Sequence, residues 1–216
     1  MAKKKVKTAK KFTNLIIVDA SGSMRGKIEE VKGGLRKLFA DIKSDVAKNP
    51  EISQHTIVVD FSSAGDYKVL VNSNVSGELV DDIAEQYSTR SMTALYDAIG
   101  KSFQLVPKDQ DGVFVTVITD GEENDSKEFT SETIQKLIQD AKDKKWALVF
   151  MGCDEKSMMT AANLGFSRGA SAQVTNDGAG LEKSFSMSAN SRGIYYNSVV
   201  TDTSIDLENL VTNTNS

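Results

Sequence analysis

The chain has 216 residues, 39% of them hydrophobic, with 26 basic and 30 acidic side chains and a net charge of −4. That length suits one domain that buries most of its apolar surface, and the single cysteine, Cys153, excludes an intramolecular disulfide framework. Six lysines and no acid fall within residues 1–11, so removing their six charges from −4 leaves −10 on the remainder, an acidic body that repels phosphate and argues against broad nucleic-acid binding.

Residues 1–11 are expected to be a flexible basic tail, whose contact with nucleic acid or an acidic partner is the one exception to that exclusion. No apolar leader-like region opens the chain and no run approaches the ~18 apolar residues of a membrane span, so a cytoplasmic protein is expected. Residues 12–18 read as a first strand. Over 28–46, Ile28, Val31, Leu35, Leu38, Phe39, Ile42 and Val46 recur at spacings of three and four, which predicts a helix with one apolar face, stopped at Pro50. Residues 56–61 and 67–71 are two short strands whose five-residue link, beginning "SSAG", predicts an antiparallel hairpin.

A short helix over 78–87 leads to the polar loop "STRSM", and Leu95, Ile99 and Phe103 predict a helix over 93–105. Residues 113–119, "VFVTVIT", form a β-branched run of the kind covered on both faces of a sheet. A helix over 131–142, a strand over 146–151, a helix over 155–164, a weak strand over 172–175 and a last helix over 181–189 follow. The alternation predicts a mainly parallel, doubly wound α/β sheet with helices on both faces. The domain is expected to span 12–190, with 191–216 a polar tail, flexible or docked.

In a parallel sheet of this kind ligands sit beyond the carboxyl ends of the strands. Three polar clusters meet there in this reading: Asp19, Ser21 and Ser23 after the first strand, Thr93 at the start of a helix, and Asp120 after the most buried strand. Two carboxylates and three hydroxyls, without His or Cys, describe a site for a hard cation, Mg²⁺ first, with Mn²⁺ or Ca²⁺ as alternatives. Each cluster also has a plainer reading: Asp19, Ser21 or Ser23 as helix caps, Thr93 as an N-cap, Asp120 as a turn residue.

The D-x-S-G-S motif at 19–23, the threonine of "MTALYDAI" and "TDG" at 119–121 resemble the von Willebrand factor A family over about residues 12–190. The wording of the motifs is most similar to short stand-alone bacterial and phage-type members, including tellurite-resistance-associated ones. The resemblance implies a Rossmann-like, six-stranded sheet with one antiparallel edge strand, residues 67–71. It also implies a metal-ion-dependent adhesion site in which Ser21 and Ser23 ligate directly. Thr93 would do so in the ligand-bound arrangement, and Asp19 and Asp120 directly or through water. The last coordination position then takes an acidic residue from a partner. Ser91 stands where many relatives have Gly.

Arg25 and Arg90 would flank the ion, either steering an acidic ligand or as solvated rim charges, and Glu122 would join that rim. Glu122, Glu123 and Asp125 together read as a solvated loop, as part of a second cation site, or as charges that repel wrong partners. Asp97 reads as an ordinary early-helix acid, and Met158 and Met159 as core. Residues 165–169 match G-x-S-x-G, but a helix precedes and a weak strand follows, and the only histidine, His55, comes too early for a hydrolase triad. The expected function is a non-enzymatic adaptor or assembly module that binds a partner's exposed Asp or Glu through the ion. The alternatives are a Mg²⁺-dependent phosphoester hydrolase, or a self-assembling structural protein whose site takes a neighbouring subunit's acid or the chain's own Asp202, Asp206 or Glu208.

Overall fold

The computed structural model describes residues 10–74 and 80–212. The expected tail over 1–9, the first two residues of the expected 78–87 helix and residues 213–216 lie outside them. Strand β1 (Lys10–Asp19) is buried from Phe12 to its end because it has a strand on each side and helices on each face. Its side chains alternate accordingly: Phe12, Ile16 and Val18 enter one core, Leu15 and Ile17 the other.

The chain continues through a 3₁₀ turn (Gly22–Lys27) into helix α1 (Ile28–Lys48), which buries Val31, Leu35, Leu38, Phe39 and Ile42. Its end two residues before Pro50 fits the bias of a pre-proline residue against helix. Strand β2 (Ile52–Phe61) pairs parallel to β1, and β3 (Tyr67–Asn74) returns antiparallel through a tight link with Gly65 at φ 79°. Helices α2 (Val80–Glu85) and α3 (Leu95–Leu105) precede β4 (Gly112–Ile118). Then come α4 (Ser131–Asp143), β5 (Ala147–Gly152), α5 (Glu155–Leu164), β6 (Ser171–Gln173) and α6 (Gly178–Thr201).

The sheet order is β3-β2-β1-β4-β5-β6, with only β3 antiparallel, the expected doubly wound sheet with one antiparallel edge. From β1 the chain winds toward β2, from β4 toward β5. The reversal opens a crevice between the carboxyl ends of β1 and β4.

Regular structure runs past both expected domain boundaries. Lys10 and Lys11 are strand residues, paired with Ile52 and Ser53. The last helix runs to Thr201, so a boundary at 190 cuts through it. Ser191, Arg192, Tyr195 and Tyr196 are buried, and beyond the helix Leu210 and Val211 dock into the core. The region reads as a polar tail because its buried face is made of serines and an arginine. Arg192 donates to Asn14 Oδ1 at 2.6 Å, Gln54 Oε1 at 2.8 Å and Asp45 Oδ2 at 2.7 Å. Its guanidinium also lies 5.4 Å from the Tyr196 ring centre. Met159, expected in the core, is 59% exposed on α5.

Arg192→Met removes the donor to Asp45 Oδ2 and Asn14 Oδ1, and leaves Gln54 Oε1 only the Asn14 amide. The loss is expected to cost about 3 kcal/mol in urea denaturation. A loss below about 1 kcal/mol would mean that the network does not hold α6 to the sheet.

Candidate metal centre

Asp19 is the last residue of β1 and fully buried. One carboxylate oxygen accepts from the Ser21 backbone N–H at 2.6 Å, the other from the Thr119 hydroxyl at 2.5 Å. Burial pushes the Asp19 carboxyl up to about 6, against those hydrogen bonds, and the nearby Asp120 charge adds to the rise. Tyr87 supports the strand end from below by donating to the Asp19 carbonyl at 2.6 Å.

Ser21 Oγ lies 2.9 Å from Ser23 Oγ, and Ser23 Oγ donates to Asp120 Oδ1 at 2.5 Å. Thr93 is buried beside them. A Cβ placed on Gly121 would stand 3.0 Å from Thr93 Oγ1 and 3.5 Å from Asp19 Oδ2, so hydroxyl and carboxylate face the same small volume and glycine leaves it open. All five expected residues are thereby brought together. The capping alternative fails for both loops: Ser21 precedes the 3₁₀ turn without a side-chain cap bond, and α3 begins at Leu95, past Thr93.

Three loops carry these groups, and each is bolted to the others. Arg90 N donates to Ala20 O at 2.7 Å, Gly22 N to Ser91 O at 2.9 Å, and Thr93 N to Asn124 Oδ1 at 2.9 Å. Ser62 accepts from Ser91 N at 2.9 Å and donates to Met92 O at 3.0 Å.

The expected rim is partly corrected. Arg25 and Glu122 are exposed, with Glu122 paired to Lys156 at 2.7 Å. Arg90 instead turns inward to Asp60 at 2.7 Å and Asp66 at 2.6 Å, where it fixes the loop before Thr93. Glu123 and Asp125 are instead turned to loop backbone. Glu123 accepts from the N–H groups of Tyr96, Asp125 and Ser126 at 2.7–3.0 Å, and Asp125 from Ala64 N at 2.8 Å. Asp97 is likewise buried, collecting the N–H groups of Lys127, Glu128 and Phe129 at 2.9 Å each.

Sequence reasoning passed over two residues that touch the site. Thr119 orients Asp19, and the "TDG" motif already contained it. Lys27, buried at the end of the 3₁₀ turn, pairs with Asp120 Oδ2 and donates to Asn176 Oδ1. One turn of chain past Ser23, it reads as a surface lysine until the fold closes over it.

Other candidates fall away. Ser167 of the G-x-S-x-G stretch bonds Lys142 and Glu208 beside β6, whereas His55 bonds Asn72 at 2.7 Å on the β2–β3 side of the sheet. Burial raises the Cys153 thiol to about 12, with Asp120 adding to it, so it is no nucleophile at neutral pH. Asp202 pairs with Lys10 at the start of β1, about 30 Å of strand from Asp19. Asp206 accepts from Glu208 N and Asn209 Nδ2, and Glu208 lies against Lys142 and Ser167. In this arrangement none of the three acids reaches the site.

Among the described residues no three of His, Cys, Asp and Glu form a metal-ligating group. A divalent ion here would therefore rest on two carboxylates and three hydroxyls. All are oxygen donors suited to Mg²⁺, Mn²⁺ or Ca²⁺, and they converge on one opening.

Because Asp19 is raised from the ordinary 3.8 to about 6, the folded protein holds its proton where the unfolded chain has lost it. Stability tied to that proton is present at pH 4 and lost as pH rises through about 6. In EDTA, Asp19→Asn should therefore gain on the natural chain by on the order of 3 kcal/mol between pH 4 and 7. Saturating Mg²⁺ should reverse the ranking. A pH-independent difference in EDTA would contradict the strained, buried carboxylate.

The profile of the von Willebrand factor type A domain matches residues 15–186. None of the curated proteins compared with the chain matches it. Among solved structures, the vWF domain of the type V pili tip protein Mfa5 from Porphyromonas gingivalis superposes with TM-score 0.66 at 9% identity, covering 88% of this chain and 97% of that one. The pilus adhesin SpaC from Lactobacillus rhamnosus GG gives 0.65 at 15% identity, over 88% and 31% of the two chains. Proximal thread matrix protein 1 from the mussel byssus, with a zinc-occupied MIDAS motif, gives 0.63 at 14% identity, over 85% and 46%. The chain thus spans under half the length of the mussel protein and about a third of SpaC. With the profile covering most of the chain and the fold shared, this chain belongs to the von Willebrand factor type A domain family.

Proposed function

We propose that this domain is a cation-dependent protein-binding module that captures an Asp or Glu side chain of a partner, as an adaptor or assembly factor rather than an enzyme. The observation that carries the reading is the convergence of Asp19, Ser21, Ser23, Thr93 and Asp120 at the carboxyl ends of β1 and β4, with only two carboxylates among them. When bound, Mg²⁺ (or Mn²⁺ or Ca²⁺) supplies a concentrated positive charge whose coordination the protein oxygens leave incomplete.

Each residue has a stated part in that reading. Ser21, Ser23 and Thr93 offer neutral oxygens, so the site stays hungry for an anion. Asp19, held by Thr119 and Ser21 N–H, and Asp120, held by Ser23 and Lys27, supply the two negative charges in fixed orientations. Interloop hydrogen bonds hold the hydroxyls in place before any partner arrives, which lowers the ordering cost of binding. Around the opening, exposed Arg25 offers attraction to an acidic surface, and Met92, 44% exposed beside Thr93, offers apolar contact.

Support for a binding role over phosphoester hydrolysis comes from the missing base. The sole histidine is committed to Asn72 and Asn74 between β2 and β3, and among the described residues no other neutral base stands at the opening. Among the described residues no helix is long and apolar enough to cross a membrane. The proposed location is the cytoplasm, and the proposed partner is a separate protein or a second copy offering a surface acid.

Partner capture from host lysate should occur in Mg²⁺, vanish in EDTA and return when Mg²⁺ is restored. Asp19→Ala and Thr93→Val should weaken it by more than roughly a hundredfold, since even the outer supports of metal ligands are worth 10–100-fold. Capture that persists in EDTA would overturn the reading, as would phosphoester turnover that Asp120→Asn removes.

A further inference from the structure

Lys27 adds a positive charge to a site whose donors are otherwise those of a plain cation pocket. It lines a small cavity together with Met24, Val174 and Leu181, and the residue is only 8% exposed. Its ammonium reaches Asp120 Oδ2 on one side and Asn176 Oδ1, in the loop before α6, on the other. With Ser23 Oγ on Oδ1, both oxygens of Asp120 have protein partners.

Charge counting gives this placement its consequence. Asp19 and Asp120 alone carry −2, which a divalent ion would neutralise, and the ion could then stay without a ligand. With Lys27 paired to Asp120 the donor set carries −1. A divalent ion brings it to +1 in a largely buried site, where excess charge is poorly screened. One carboxylate from outside returns the total to zero.

We infer that Lys27 is the site's resident counter-cation, which weakens metal binding in the absence of a ligand and makes ion and partner carboxylate bind cooperatively. This rests on the metal-dependent reading of the site and adds how that site is regulated: ion alone is held loosely, ion plus acid firmly. Coupling of this sort is reciprocal, so the acid tightens the ion as much as the ion tightens the acid.

Titration calorimetry with Mg²⁺ as the probe, without and with excess acetate as a model carboxylate, reads the coupling directly. For the natural chain, acetate should raise Mg²⁺ affinity at least roughly fivefold. Lys27→Met, which keeps the buried stem and removes the charge, should bind Mg²⁺ alone roughly tenfold tighter and lose most of the acetate effect. Asn176→Asp, at an exposed loop position, sets a carboxylate against the same ammonium and should shift both quantities in the same direction. It decides the matter if Lys27→Met fails to fold. Unchanged or weaker Mg²⁺ binding in these variants, with normal binding in the natural chain, overturns the role of Lys27 and leaves the site's function standing. No Mg²⁺ binding by the natural chain, with or without acetate, overturns both.

Discussion

The structure depends on one buried carboxylate. Asp19 ends the central strand with no exposed surface, and nothing in an apolar core welcomes a charge there. Its two oxygens accept from Ser21 N–H and Thr119 Oγ, and the other candidate ligands around it are oxygen donors on loops that position them. The strand order makes this convergence inevitable. β1 and β4 are neighbours whose chains leave in opposite directions, so Asp19 and Asp120 meet at the one crevice the fold leaves open. A cation there would relieve the cost that burial imposes on Asp19.

Rigidity around the crevice comes from acids used as backbone receptors. Asp97 gathers three successive N–H groups at the start of α4's approach, Glu123 gathers three more, and Asn124 ties the same loop to Thr93. Arg90, pinned by Asp60 and Asp66, fixes the opposite wall. These contacts explain why acids cluster in "VITDGEEND", and why Arg90 stands in "STRSM", without making a second ion site among the described residues. They satisfy loop backbone that would otherwise be buried without partners. The acids bound in this way are inward-facing and add little to the surface a partner sees.

Periodicity and turn length made the sheet and its antiparallel edge legible. Apolar spacing in α1 and the β-branched run of β4 answer to burial alone, and the five-residue link after β2 leaves room for little but a hairpin. The five site residues were legible because two clusters follow the ends of β1 and β4 and the third, Thr93, stands just before a helix. Lys27 and Arg192 were not. A buried cation looks like a surface one in sequence, and only its partners, Asp120 in one case and Asn14, Gln54 and Asp45 in the other, mark the difference. Helix α6 was cut short for a related reason: its inner face carries Ser184, Ser188, Ser191 and Ser198, which pack closely yet break the apolar pattern. Serine hydroxyls there find partners in Thr116 and in the helix's own carbonyls.

Whether these five side chains together hold one divalent ion is read from anomalous diffraction of crystals grown with Mn²⁺. A single strong peak is expected among Asp19, Ser21, Ser23, Thr93 and Asp120, absent after EDTA treatment. No peak at this position at saturating Mn²⁺, or a peak elsewhere on the chain, would contradict it.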